Sequence, residues 1–258
     1  MITRCCALLI SLICLCGAAE PLRQAHAHND YEHPRPLLDA LEQGFCSVEA
    51  DIYLVDGQLL VAHNLKDVQP SRTLQSLYLD PLRQRVQANG GRVYPGGPAV
   101  TLLVDVKSEA VTTYAALDRV LRGYAEILTT YREGKISPGA VSVIISGNRA
   151  RTEPAAQPLR YAAIDGRMED LKTDVSPALV PWISVNWALE FQWRWTGEMP
   201  AEVRTGLAQL TARVHAQGRQ LRFWNTPDRP EVWRELRAAG VDWIGTDDPA
   251  GLAKFLKP

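Results

Sequence analysis

The chain has 258 residues, a formal net charge of -1, 46% hydrophobic and 22% charged residues. That length suits one large domain, and the composition is that of a globular protein with a sizeable core. The near-neutral charge gives no electrostatic support to a nucleic-acid partner, and no polybasic run marks an anionic membrane surface.

Arg4 is the only charged residue before Glu20, and residues 7–16 form an apolar run, interrupted only by Ser11, that is too short to span a bilayer comfortably. Gly17, Ala18 and Ala19 then supply the small residues that signal peptidase requires. Residues 1–19 are therefore expected to be a cleaved signal peptide, and the mature protein to be secreted to the periplasm or the exterior. Lipid attachment at Cys14 or Cys16 is disfavoured, because Ile13 and Leu15 stand where a small residue is wanted. Cleavage removes Cys5, Cys6, Cys14 and Cys16. Only Cys46 remains, so no internal disulfide is expected, and its apolar strand makes it a core residue.

Residues 20–258 show no linker, low-complexity segment or short repeat, and read as one domain of a monomeric protein. Strands are expected near 22–28, 46–53, 100–106, 140–146, 160–164, 180–185, 219–224 and 241–246. Helices are expected over 36–43, 74–88, 110–131, 201–217, 230–239 and 249–256. Apolar spacing such as Leu207, Leu210, Ala212 and Val214 supports them, and Gly44, Gly218 and Gly240 punctuate their ends. Eight strands alternating with helices argue for a parallel α/β architecture. The expected fold is a (β/α)8 TIM-type barrel. A doubly wound open sheet is the alternative, but no GxGxxG follows a strand.

The polar residues of these strands fall into a pattern. His28 ends the first strand. Glu49 and Asp51, two apart in the second, share a face. His63 follows a hairpin whose Asp56-Gly57 is a turn signal. Asp105 and Lys107, again two apart, close the third strand. All are expected at or beyond strand C-terminal ends, where a barrel gathers its functional residues. Three carboxylates together need a cation, and all-oxygen ligation favours Mg²⁺ or Ca²⁺. Two histidines can act as base and acid, and Lys107 can meet a phosphate oxygen. Together these groups describe phosphodiester cleavage. A solvated strand face for Glu49 and Asp51 is the bland alternative. The apolar neighbours Phe45, Val48, Ile52 and Leu54 argue against it, because unpaired carboxylates would be costly there.

The run from His28 through Glu49-Ala50-Asp51 to His63-Asn64 resembles the glycerophosphodiester phosphodiesterase and phosphatidylinositol-phospholipase-C-like superfamily. Residues 240–249, GVDWIGTDDP, look like its last strand and turn. The opening His26-Ala27-His28-Asn29-Asp30-Tyr31 resembles the subgroup named after altered inheritance of mitochondria protein 6. The resemblance implies a TIM-type barrel, one divalent metal on Glu49, Asp51 and Asp105, a catalytic pair of His28 and His63, and the lysine at Lys107. It also implies a small-molecule or lipid phosphodiester as substrate. The chain departs from glycerophosphodiesterases in three places. Asn29-Asp30 replaces the Arg-Gly after the first histidine, Asn64 replaces Asp after the second, and Asp105, as in venom sphingomyelinase D, replaces Glu. Asn29 and Trp224 are further candidates for substrate binding. Residues 182–195 hold four of the seven tryptophans. They either stack a headgroup, touch a membrane interface transiently, or simply pack. Two rival functions remain, a non-catalytic binding barrel and an amidohydrolase- or PHP-type metallohydrolase. The latter lacks further histidines, since only His215, on a helical pattern, follows His63.

Overall fold

The computed structural model describes residues 19–195 and 197–257, so residues 1–18 of the expected signal peptide, with their four cysteines, lie outside the described residues. Eight short strands form the frame: β1 (Leu22–Ala27), β2 (Phe45–Val55), β3 (Val100–Val106), β4 (Val141–Gly147), β5 (Ala163–Gly166), β6 (Trp182–Asn186), β7 (Gln220–Trp224) and β8 (Ile244–Thr246). Each lies within a few residues of an expected strand. They pair in parallel in the order β7-β6-β5-β4-β3-β2-β1-β8. A single parallel bridge, Arg222 to Trp243, spans the seam between β7 and β8. The amides of Asp242 and Trp243 reach Leu221 O there, each at 3.2 Å. The result is a nearly closed eight-stranded barrel.

Among the described residues there are eight α-helices: α1 (Leu38–Gln43), α2 (Asp80–Ala88), α3 (Ala110–Arg122), α4 (Thr152–Ala156), α5 (Trp187–Glu190), α6 (Ala201–Ala216), α7 (Pro230–Ala238) and α8 (Pro249–Leu256). α3 starts on Glu109, whose carboxylate accepts from the amides of Val111 and Thr112. The expected helix over 110–131 ends early, at Arg122. Thr130–Arg132 instead pairs antiparallel with Lys135–Ser137 and Leu159–Arg160, as a β-branched and aromatic segment prefers. Leu128 bridges to Val141 at the start of β4, so this small sheet sits at the N-terminal end of the barrel, away from the strand ends expected to carry function.

On β2, Cys46, Val48, Ala50 and Ile52 alternate with Ser47, Glu49 and Asp51. Cross-barrel contacts show that the polar face points inward. Glu49 of β2 meets Arg222 of β7, and His26 of β1 packs edge-on to Trp182 of β6. Deeper in, Trp182 and Trp243 stack at 4.8 Å and both donate to Gln220 Oε1. The interior of this barrel is therefore a hydrogen-bonded network where branched aliphatic layers are usual. β2 also runs past the barrel rim to Val55 and pairs antiparallel with Gln58–Val61. Glu49 and Asp51 consequently stand inside a long strand, not at its end as expected. The mouth is set by where β3 stops beside them.

The tryptophan-rich segment packs. Trp187 is fully buried and touches the rings of Phe191, Trp193, Trp195 and Phe223 at 4.5–6.3 Å. Truncating Trp187 to Ala is expected to cost roughly 3–5 kcal/mol of stability, the usual range for a large aromatic in a core. Chemical denaturation checks it; a loss under about 1 kcal/mol would mean the cluster is not part of the core.

Candidate active site

The C-terminal ends of the barrel strands surround a cavity of about 330 Å³. Seven of the eight expected site residues line it: His28, Asn29, Glu49, His63, Asp105, Lys107 and Trp224. The eighth, Asp51, is buried just behind, its Oδ2 3.1 Å from Lys107 Nζ and 3.5 Å from His63 Nδ1.

The acidic cluster comes from two adjacent strands in register. Asp51 of β2 lies opposite Asp105 of β3, and Glu49 sits one inward position deeper. Ligand oxygens of all three lie within 4.8 Å of one another. Glu49 Oε2 accepts from His26 Nε2 at 3.0 Å and Arg222 Nη2 at 2.6 Å, which leaves Oε1 outside both contacts. Burial works against the Glu49 charge, but Arg222 and His26 reverse it and hold the carboxyl well below the usual range. Asp105 has weaker compensation. Burial, then the charges of Glu49 and Asp51, pushes it up to about 6 despite Lys107. Burial likewise raises Asp51, against Lys107 and Tyr31. Asp51 Oδ1 and Asp105 Oδ1 are buried without a hydrogen-bond partner. Clustered hard oxygens with unanswered lone pairs fit a divalent cation such as Mg²⁺ or Ca²⁺.

The two histidines flank this cluster, each held by its Nδ1. His28 Nδ1 lies 2.8 Å from Asp247 Oδ1 at the end of β8, and Asn29 Nδ2 reaches the same oxygen at 3.3 Å. His28 thus donates from Nδ1, leaving the Nε2 lone pair as the proton acceptor. Burial opposes charge on His28, but the Asp247 hydrogen bond and the Glu49 charge outweigh it and raise its pKa. His63 Nδ1 lies 3.1 Å from the Tyr31 hydroxyl, which is also 2.7 Å from Asp51 Oδ2. Tyr31 has one proton and the carboxylate is its best acceptor, so His63 donates to the phenol oxygen.

Two local constraints make this possible. Asn29 adopts a left-handed conformation, φ 47°, which Asn tolerates. The loop after it is pinned by Asp30, fully buried, which accepts from the Leu37 amide and the Tyr78 hydroxyl. Gly147, at φ +66°, closes β4 against Asp105, where a Cβ would lie 1.8 Å from Asp105 Oδ1. Only glycine fits both demands.

Several of these residues escape the sequence reading, Arg222, Asp247, Tyr31 and Gly147, as does Arg167, which also lines the cavity. Arg222 and Trp224 are two apart on β7, the same signal that exposed Glu49 and Asp51. Asp165 and Arg167 repeat it on β5. Among the other polar residues near strand ends, Ser146 lines the cavity, while Asp165 is buried beneath Arg167. Asn186 caps α5, Asn225 donates to Asn186 and lines an adjoining cleft, and Asn148 donates to Ser108 O outside. His26 is buried on Glu49, and His215 pairs with Asp242 away from the cluster.

The nearly closed parallel barrel is the fold of solved glycerophosphodiester phosphodiesterases. Solved structures of that enzyme from Agrobacterium tumefaciens and Parabacteroides distasonis superpose with TM-scores of 0.53 and 0.52. They cover 91% and 92% of this chain and 99% and 98% of their own, each at 17% identity. Residues 220–250 match the glycerophosphoryl diester phosphodiesterase family. Residues 19–156, more than half of the chain, match the AIM6-like phosphodiesterase domain, and the chain belongs to that family. Altered inheritance of mitochondria protein 6 of Eremothecium gossypii is 26% identical over 91% of this chain and 69% of its own length. The Lachancea thermotolerans protein of the same name is 30% identical over 87% and 63%. The chain thus spans about two thirds of these relatives.

Burial and Arg222 together hold His26 down at about 4, opposite in direction to His28. Between the ordinary histidine value near 6.5 and about 4, the unfolded chain binds a proton at residue 26 that the folded one refuses. His26 therefore lowers stability as pH falls through that window. His28 instead adds stability below about 6.5 and loses it as pH rises through its higher folded pKa. Ring-carbon NMR of the metal-free protein should show one histidine unprotonated at pH 5 and another still charged above pH 6.5. If every histidine titrated together near 6.5, the buried network would be wrong.

Proposed function

We propose that this protein is a metal-dependent phosphodiester hydrolase working by paired imidazoles. The observation that carries the reading is the position of two Nδ1-anchored histidines on either side of three clustered carboxylates, two of which have unanswered buried oxygens. Glu49, Asp51 and Asp105 would hold the cation, which supplies Lewis-acid stabilisation of phosphoryl charge. Lys107 Nζ, between Asp51 and Asp105 at 3.1 and 3.4 Å, meets a non-bridging oxygen of the diester. His28 accepts a proton at Nε2 from the attacking hydroxyl or water. Asp247 stabilises the imidazolium that results, as its hydrogen bond already favours that charge. His63, half exposed beside the cavity, would act as the imidazolium, keeping Nδ1–H on Tyr31 and delivering its Nε2 proton to the departing alkoxide. Tyr31 couples its orientation to the Asp51 carboxylate. Trp224, 40% exposed at the rim, offers a flat face to one substrate arm.

The test is turnover of the purified protein on glycerophosphodiesters, lysophospholipids, sphingomyelin and a chromogenic diester, with Mg²⁺, with Ca²⁺ and with chelator. Turnover is expected only with metal. Glu49→Ala should abolish it, and His28→Ala and His63→Ala should each lower kcat by about 10²–10⁴-fold. Tight metal binding without cleavage of any diester would leave a binding barrel in place of an enzyme. Export through a cleaved signal is part of the same reading. The secreted protein is expected to begin at Glu20, and N-terminal sequencing decides it; recovery of an intact Met1 from the exported fraction would refute cleavage.

A further inference from the structure

The cavity has two chemically different sides. Its carboxylates gather on β2 and β3. From β4 and β5 the lining contributes only Ser146 and Arg167, a hydroxyl and a cation. Arg167 is held there with some force. Its Nη1 donates to Asp165 Oδ2 at 2.6 Å and to Gly166 O at 2.8 Å, and Nη2 lies 3.3 Å from Ser146 Oγ. Asp165 is fully buried and also accepts from Ser146 and Ser184, both at 2.7 Å. A buried carboxylate is costly, and this one has three side-chain donors arranged around it. The arrangement leaves the Arg167 side chain 27% exposed, its guanidinium oriented in advance and lining the cavity. Arg149 stands behind it, donating to Gly147 O, close enough that the Arg167 charge, after burial, lowers its pKa. The potential on this side is therefore positive.

Position separates Arg167 from the scissile phosphate. β3, which carries Asp105 and Lys107, lies two strand spacings from β5, about 10 Å at ~4.8 Å each. Two of its hydrogen bonds, to Asp165 and Gly166, hold the guanidinium at the end of β5, and the third reaches no further than Ser146 on β4. In the proposed function phosphoryl charge is answered by Lys107 and by the cation that the carboxylates would hold. We infer that Arg167 is a specificity residue whose guanidinium receives an oxyanion, a carboxylate or a second phosphate, carried on one alcohol arm of the diester. The inference rests on the reading of the cavity as a phosphodiester site. It implies that an anionic arm is preferred over a choline-type arm, whose cation would face Arg167. Planar bidentate recognition of carboxylate and phosphate is what a fixed guanidinium does best.

Two ligands that differ only in the arm test this without turnover: 3-phosphoglycerate and sn-glycerol 3-phosphate, measured by calorimetry in one magnesium buffer. Wild type is expected to bind 3-phosphoglycerate at least tenfold more tightly. Arg167→Gln should reduce that ratio to about one. Because the substitution leaves Asp165 short of a donor, the double variant Asp165→Asn/Arg167→Gln, which removes both charges, should give the same collapse in a folded protein. Equal affinities in wild type would overturn the inference. So would an equal loss for both ligands in the variants, which would place Arg167 on the phosphate common to them. If the ratio behaves as expected but no diester is cleaved, the anion subsite stands and the hydrolase reading fails. If diesters are cleaved without the ratio, the reverse holds.

Discussion

The ion pair between Glu49 and Arg222 crosses the inside of the barrel, and the chemistry at the mouth depends on it. A carboxylate with almost no solvent exposure would ordinarily take up a proton or unfold its surroundings. Here Arg222 reaches it from three strands away around the barrel, and His26 reaches the same oxygen from the neighbouring strand. Such a pair contributes little net stability, because desolvation of both charges offsets their attraction. What it does is keep Glu49 ionised and fixed in one rotamer before any cation arrives. It also explains the neutral His26. Its ring is fully buried and shares the Glu49 oxygen with the Arg222 cation, so it serves Glu49 as a donor and gains nothing by charging.

A polar barrel interior imposes a discipline that an aliphatic one does not. Each inward group needs a partner at hydrogen-bond distance, and each partner then restricts the next. Ser47 answers His26, Gln220 answers two indoles, and Ser146 and Ser184 answer Asp165. Buried atoms without a partner do occur among the described residues, Asp30 Oδ1, Arg149 Nε and Arg222 Nε among them, and two fall where a ligand would sit. Asp51 Oδ1 and Asp105 Oδ1 are orphaned while their second oxygens are satisfied. What sets those two atoms apart is their place in a cluster of three carboxylates with ligand oxygens within 4.8 Å of one another, which suits them as open coordination positions.

The eight strands, the acidic cluster and both histidines could be found from sequence because their signals are local. A strand announces itself in five or six residues, and two inward carboxylates announce themselves by a spacing of two. The partners could not be found in that way. Asp247 is 219 residues from His28, and Arg222 is 173 from Glu49. Only the closing of the barrel makes them neighbours. Asn29-Asp30 is a subtler case. Read as the loss of an arginine it suggests a damaged site. In the fold, Asn29 takes the left-handed turn and reaches Asp247, while Asp30 ties down the loop from beneath. Those two residues keep His28 and Tyr31 in place, and positive charge enters the cavity from other strands.

That redistribution of charge bears on why the barrel can keep the chemistry and change the substrate. The groups that would act on phosphorus lie on β1, β2, β3 and β8, a contiguous run in the sheet apart from the hairpin arm that carries His63. The groups that would meet a substrate arm, Arg167 and Trp224, lie on β5 and β7. The two sets share only Arg222, which touches Glu49 and lines the cavity beside Trp224. Substitutions at the ends of β4–β7 can therefore alter what the arm meets while the carboxylates and imidazoles keep their registers. Arg222 is the exception, because a change there would disturb Glu49 through the same contact that fixes it.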